Sequence, residues 1–300
     1  MSGLLSVLIA SLGLGILARR TKLFPAQTPA ALNAVVLNVA LPALVLRAIH
    51  TVPLSTELFI AAAMMWLVFL VAWGLFTLLG KVARLSTRTV GALVLTGGLS
   101  NTAFIGLPVL EAVWGREALG IGVVVDQMGS FLLTSSLGLA VAAAASGEAA
   151  SPAAIAKKVA YFPPFIALVI AFLLRPVEYP LWLDTLLDRF GSMLTPLALF
   201  SVGLQLQISG LRERVGPLVA GLGWKLVVAP LLVAAVLSLF AGTDTLVWKV
   251  TVVQAAMAPM VTGGIIASQY DLDPPLAAAM VGLGIPLSAA TLAGVIALLA

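Results

Sequence analysis

Asp126 is the residue whose type and place in this chain most directly imply chemistry. Counting 1.5 Å per helical residue, it lies about 12 Å along an apolar segment from Ala118, near the middle of a hydrocarbon core about 30 Å thick. An acid at that depth costs about 2.5–3.5 kcal/mol on insertion scales, and such residues mark ion and substrate paths. Proton carrier, cation ligand and gate are the roles open to it, against a structural acid bonded to free backbone amides. Ser100, Asn101 and Thr102 form a second polar group inside an apolar region. Where a helix restarts after a break, its free N–H groups and positive dipole end face an anion. Asn101 then either joins that site or caps those amides. Gln127 and Gln254 both donate and accept, which suits a carboxylate, a coordinated ion or a bond to a neighbouring helix. Met257 follows Gln254 by three residues and completes the candidate substrate- or ion-binding set of Ser100, Asn101, Thr102, Asp126, Gln127, Gln254 and Met257.

Two unusual stretches must position these groups. From Gly97 to Pro108 the chain places two adjacent glycines, a Ser-Asn-Thr triplet, Gly106 and Pro108 within twelve residues. From Gln254 to Gly264 it again combines polar residues, Pro259 and the pair Gly263-Gly264. Glycine weakens a helix and proline removes a backbone donor. Irregular backbone at membrane depth is tolerated only where protein or a water-filled cavity satisfies it. The expectation is a broken helix at each stretch, lining a site. The alternative, a small-residue packing seam, explains the glycines but not Asn101 beside Pro108. Gly106, Pro108, Pro259 and Gly263 are expected to shape the breaks.

The 300 residues are 61% hydrophobic and only 9% charged, with a mean hydropathy of +1.15. Soluble domains carry about 25% charged residues, so the fold class is an all-α integral membrane protein. The net charge of +4 does not indicate nucleic acid, because the basic residues sit in short loops and report orientation. With no cysteine, disulfides and thiol chemistry are excluded. The N-terminal apolar run lacks a basic leader and is expected to be a first span rather than a signal peptide.

About ten spans are expected. They begin near Gly3, Ala30, Leu58, Thr89, Leu119, Ile155, Phe190, Gly216, Thr245 and Leu276. The polar stretch 146–156 links a first half, 1–145, to a second, 157–300. Arg19, Arg20, Lys22, Lys81, Arg84, Arg88, Lys157, Lys158, Arg212 and Arg214 fall on one face, expected to be cytoplasmic. The opposite loops carry Arg116, Arg175 and Arg189 diluted by acids, which puts both termini outside. Five spans per half means that the second half enters inverted. Span two carries Pro42 where span seven carries Pro196, and the breaks in spans four and nine also correspond. Matched interruptions in inverted repeats point to a site between the halves.

Other polar residues read more plainly. Lys225, Arg47 and Lys249 are expected to snorkel to the interface, although each could attract an anion. His50 is expected in a loop at an outer rim. The run Met64-Met65-Trp66 reads as lipid-facing or packing surface.

The segments Leu41–Ala48, Asn101–Pro108, Asp126-Gln127 and Gln254–Pro259 resemble the auxin efflux carrier family of membrane transporters, which includes bacterial malonate and malate permeases. Asn-Thr-x-x-x-Gly-x-Pro is the most specific element. The resemblance implies a compact bacterial-type member with ten helices in two inverted five-helix repeats. It also implies a scaffold of spans one, two, six and seven, a mobile bundle of the other six, and crossing broken helices four and nine. A homodimer through the scaffold is implied as well. More distantly the chain is similar to bile-acid sodium symporters.

The function expected is secondary transport of a small organic anion across the cell inner membrane. The candidates are malonate, malate or an auxin-like acid, moved by an elevator-like motion and coupled to a proton. Sodium coupling is the rival. An uncoupled channel and an intramembrane enzyme are the other classes. The enzyme class is disfavoured by a single histidine and a single midplane acid. No cofactor, metal or nucleic-acid partner is expected; membrane lipid is.

Overall fold

The computed structural model describes residues 2–21, 23–52, 55–147, 151–205, 214–240 and 242–299. Lys22, Arg212 and residues 148–150 of the expected linker lie outside these ranges. Among the described residues every regular element is helical. We number the helices α1 (Ser2–Arg20), α2 (Thr28–His50), α3 (Thr56–Val82) and α4 (Thr87–Gly98). After a break come α5 (102–114) and α6 (116–146), separated by a reversal at Gly115 with φ 77°. Then follow α7 (Pro152–Ala160), α8 (Pro163–Leu173), α9 (Leu181–Ser192), α10 (Leu194–Gln205) and α11 (Val215–Leu237). The last three are α12 (Leu246–Ala256), α13 (Val261–Gln269) and α14 (Pro274–Leu299). Among the described residues five helical stretches are long and apolar enough to cross a membrane, and shorter apolar helices accompany them. This is the make-up of an integral membrane protein.

Local chemistry sets the helix starts. Ser55, Ser86 and Thr245 each accept a bond from the backbone N–H three residues on, opening α3, α4 and α12. Internal prolines are absorbed in one recurring way. A wide turn closes from Leu41 N to Val36 O, from Leu107 N to Thr102 O, and from Ala229 N to Trp224 O, each just before Pro42, Pro108 or Pro230. A proline ring clashes with the carbonyl four residues back, and the extra residue in the preceding turn relieves that contact.

The sixth expected span is not one helix. It is divided at Tyr161-Phe162, ahead of the pair Pro163-Pro164, because the residue before a proline is driven out of helical conformation. His50 belongs to the last turn of α2 rather than a loop, and its ring stacks on Tyr179 at 4.3 Å. Met64 and Met65 are buried packing residues, and the Trp66 indole N–H donates to Met128 O at 3.0 Å, bracing α3 against α6.

Charges gather at the two ends of the bundle. At one end Arg88 pairs with Asp271, and Arg214 with Asp273 at 2.5 Å. At the other, Arg47 holds Asp184 at 2.8 Å and also Asp188, which Arg116 reaches at 3.0 Å. Arg47 is therefore engaged with carboxylates rather than snorkelling free. Its hydrogen bond keeps the Asp184 carboxyl below its usual range, where it stands outside the apolar spans.

Candidate functional site

Both expected interruptions are present, and they meet. Helix α4 ends at Gly98, and Leu99 is extended (φ −105°, ψ 132°). Helix α12 ends at Ala256, and Met257 and Met260 are extended. Ser100 and Pro259 face each other as an isolated antiparallel bridge. Asn101 N donates to Ala258 O at 2.9 Å, and Met260 N donates to Leu99 O at 3.1 Å. Each break thus supplies the partners the other lacks, which is how extended backbone survives in an apolar interior. Ser100 and Pro259 are the non-hydrogen-bonded pair of this bridge, the bonds running between their neighbours, so the missing N–H of Pro259 costs no bond across it.

Glycines let the segments approach this closely. A Cβ on Gly263 would lie 2.6 Å from Leu95 O, and one on Gly106 would lie 2.1 Å from Gln254 Oε1. Gly106 and Gly263 thus hold α5 against α12 and α13 against α4. Pro108 follows the wide turn that opens α5.

Beside the paired breaks lies a cavity of about 260 Å³. Asn101, Asp126, Gln127, Thr134, Ser135, Thr262 and Gln269 supply its polar lining. Leu37, Leu41, Phe104, Phe131, Phe162 and Ile265 supply much of its apolar wall. Phe131 and Phe162 stack on each other at 4.0 Å in its wall, joining α6 to the start of α8. No Lys, Arg or His is among the described lining residues.

Asp126 is 2% exposed and sits in a wide turn of α6 spanning Val125–Phe131. Its Oδ1 accepts from the Thr102 hydroxyl at 2.5 Å, and its Oδ2 accepts from Gln127 Nε2 at 2.6 Å. Thr102 is the first residue of α5, so the acid is tied directly to the break. Asn101 Nδ2 and Gln127 Oε1 are buried and without a protein partner. A free donor and a free acceptor therefore stand beside a carboxyl side chain at one cavity, an arrangement suited to a polar ligand.

The remaining sequence candidates lie behind this wall. Gln254 is fully buried, its Nε2 3.5 Å from Gly122 O and its Oε1 unpaired. Met257 is fully buried in the apolar core. Ser100 does not line the cavity; its Oγ accepts from the Lys225 ammonium. The expectation for Lys225 fails here. It does not snorkel: its exposure is 0%, and its Nζ also donates to Ala255 O at 2.8 Å. The wide turn before Pro230 contains Lys225 and is packed at the break. Lys249, by contrast, is half-buried near the start of α12.

Thr262 and Gln269 were within reach of sequence reasoning as polar residues of the second interrupted span. Phe131, Phe162 and Ile265 carried no such signal.

Comparison with known proteins adds the family. The family described as Membrane transport protein matches residues 1–296. A protein of Methanothermobacter thermautotrophicus named "Uncharacterized transporter" is 28% identical over 296 residues, covering 96% of this chain and 94% of its own. A second protein named as an uncharacterized transporter, from Methanocaldococcus jannaschii, is 27% identical over 262 residues and 83% of each chain. A Rhizobium meliloti protein named "Putative malonate transporter" is 28% identical over 317 residues, covering 99% of this chain and 95% of its own.

Proposed function

Because the chain belongs to the membrane transport protein family, the auxin efflux carrier family that its Asn-Thr-x-x-x-Gly-x-Pro motif resembles, we propose that it is a secondary transporter that carries a small organic acid together with a proton. The observation that carries this reading is the cavity at the paired breaks. It brings together Asp126, the unpaired Asn101 Nδ2 and the unpaired Gln127 Oε1. Asn101 donates to the substrate carboxylate. Asp126 carries the proton, with Thr102 and Gln127 holding its two oxygens.

Charge balance narrows the substrate. A carboxylate beside an ionised Asp126 is repelled and both are desolvated, so the loaded site takes up a proton on Asp126. The proton cancels the charge of Asp126, and the one charge left in the loaded site is that of the substrate carboxylate, which Asn101 meets. A dicarboxylate would leave a second negative charge against Leu37, Leu41, Phe104 and Phe131, with no cationic side chain among the described lining residues. The cavity thus favours an acid with one carboxylate and an apolar body over malonate or malate. Binding of a panel of mono- and dicarboxylates to purified protein, read by calorimetry, tests this. Tighter binding of malonate than of an aryl-acetate of similar volume would reverse the assignment.

The motion we propose uses two groups of helices. Helix α1 packs along α10, and α2 along α8 and α9, which supports a scaffold of spans one, two, six and seven. Helices α3, α4 and α11–α14 share a separate apolar core, which supports a mobile bundle built, with α5 and α6, from inverted repeats whose broken helices cross at Ser100 and Pro259. The cavity lies between the groups, since Leu41 and Phe162 belong to one and Asp126 and Met260 to the other. An elevator-like displacement would expose it on alternate sides of the cell inner membrane. A homodimer through the scaffold, with both termini outside, completes the proposal.

A further inference from the structure

We propose that Lys225 is a tethered cation that fills the seat a monovalent metal ion would take at the break, so that this transporter is independent of sodium. Helix α12 ends at Ala256. Its last carbonyls carry the negative end of the helix dipole, about half an elementary charge. In broken-helix transporters such C-terminal ends and unwound carbonyls are what coordinate sodium. Here the Ala255 carbonyl and the Ser100 hydroxyl, both hard oxygen donors, converge on the Lys225 ammonium.

An ammonium in an apolar interior is costly unless it is bonded. Lys225 has 0% exposure and forms no ion pair with Asp126; among the described residues these are the two buried charged side chains. Its compensation is the helix end and the hydroxyl. It is also walled off from the cavity, which it does not line, so it holds the break rather than binding the substrate. Its position follows from Pro230: the wide turn Trp224–Val228 ahead of that proline contains Lys225 and is packed at the break. With the seat at the break filled by the Lys225 side chain, Asp126 is the buried acid left to load and unload the coupling ion, which on this proposal is a proton.

The inference rests on the paired breaks being the ion and substrate site, but its test contains no substrate and does not depend on transport. Thermal unfolding of purified wild type and Lys225→Ala is measured in equimolar sodium, lithium, potassium and N-methylglucamine chloride. The wild type is expected to melt at one temperature in all four salts. Lys225→Ala is expected to melt lower in N-methylglucamine and to recover several degrees in sodium or lithium. Adding Ser100→Ala should abolish that recovery. A Lys225→Ala protein that is recovered folded only in sodium or lithium also supports the proposal. A sodium-specific rise in the wild type overturns it. So does a Lys225→Ala protein that is indifferent to all four salts, or one that fails to fold in every salt.

Discussion

Replacing Asp126 by Asn separates carrying a proton from binding an anion. The substitution should be tolerated. The oxygen of the introduced amide can still accept from Thr102, and Gln127 can turn its own amide so that the now unpaired Oε1 accepts from the introduced N–H. In the wild type, a carboxylate held about 5 Å from ionised Asp126 would be repelled by about 3 kcal/mol at an effective dielectric near 20. That is roughly two hundredfold in affinity. Protonation removes the repulsion, so wild-type affinity should fall by up to that factor as pH rises and the proton is lost. By linkage the bound anion favours the proton to the same extent. Asp126→Asn fixes the neutral form. It should bind with wild-type low-pH affinity at every pH and should lose accumulation driven by a pH gradient. Calorimetric titration across pH, paired with uptake into proteoliposomes, reads both effects. A variant that still accumulates substrate as the wild type does, or that keeps the wild-type pH dependence of binding, would refute the reasoning.

Other consequences concern the break and the assembly. Asn101→Ala removes the free donor at the cavity and should weaken substrate binding by roughly fivefold to a hundredfold, the range of about 1–3 kcal/mol for a lost buried partner, with an unchanged melting temperature; unchanged affinity would make Asn101 a bystander. Gly263→Ala would press a Cβ to 2.6 Å from Leu95 O, a backbone atom, and should destabilise the protein by about 1–3 kcal/mol, read as a lower melting temperature. Gly106→Ala meets the Gln254 side chain instead, at 2.1 Å; that side chain can swing aside, so the loss should be smaller than at Gly263. Crosslinking in native membranes should capture a dimer through scaffold positions and leave a variant crosslinked there active; a monomer alone would count against the assembly.

The breaks were legible in the sequence because their chemistry is incompatible with an ordinary span. Asn101 beside Pro108, and Gln254 ahead of Pro259, have no purpose in a lipid-facing helix. Asp126 was legible for the same reason. What could not be read was which polar residues share a cavity. Ser100 and Asn101 are neighbours in sequence, yet Ser100 lies in the bridge to Pro259 while Asn101 sits in a tight turn (φ −78°, ψ 64°), and their side chains go to different places, one to Lys225 and one to the cavity. Snorkelling was the natural expectation for Lys225. It fails because a helix end and a hydroxyl, both distant in sequence, give the ammonium partners inside. The pair Pro163-Pro164 marks the division of the sixth span, but the apolar residues on either side of it have the composition of one continuous span. The cavity wall is silent in sequence: Phe131 and Phe162 are apolar residues in an apolar chain, and only the fold brings their rings to 4.0 Å.

The most direct test of the account is accumulation of a labelled monocarboxylate in proteoliposomes under an imposed pH gradient, with sodium replaced throughout by N-methylglucamine. The account predicts uptake above the equilibrium level that is collapsed by a protonophore and unaffected by restoring sodium. Uptake that only equilibrates, or that requires a sodium gradient at constant pH, would contradict it.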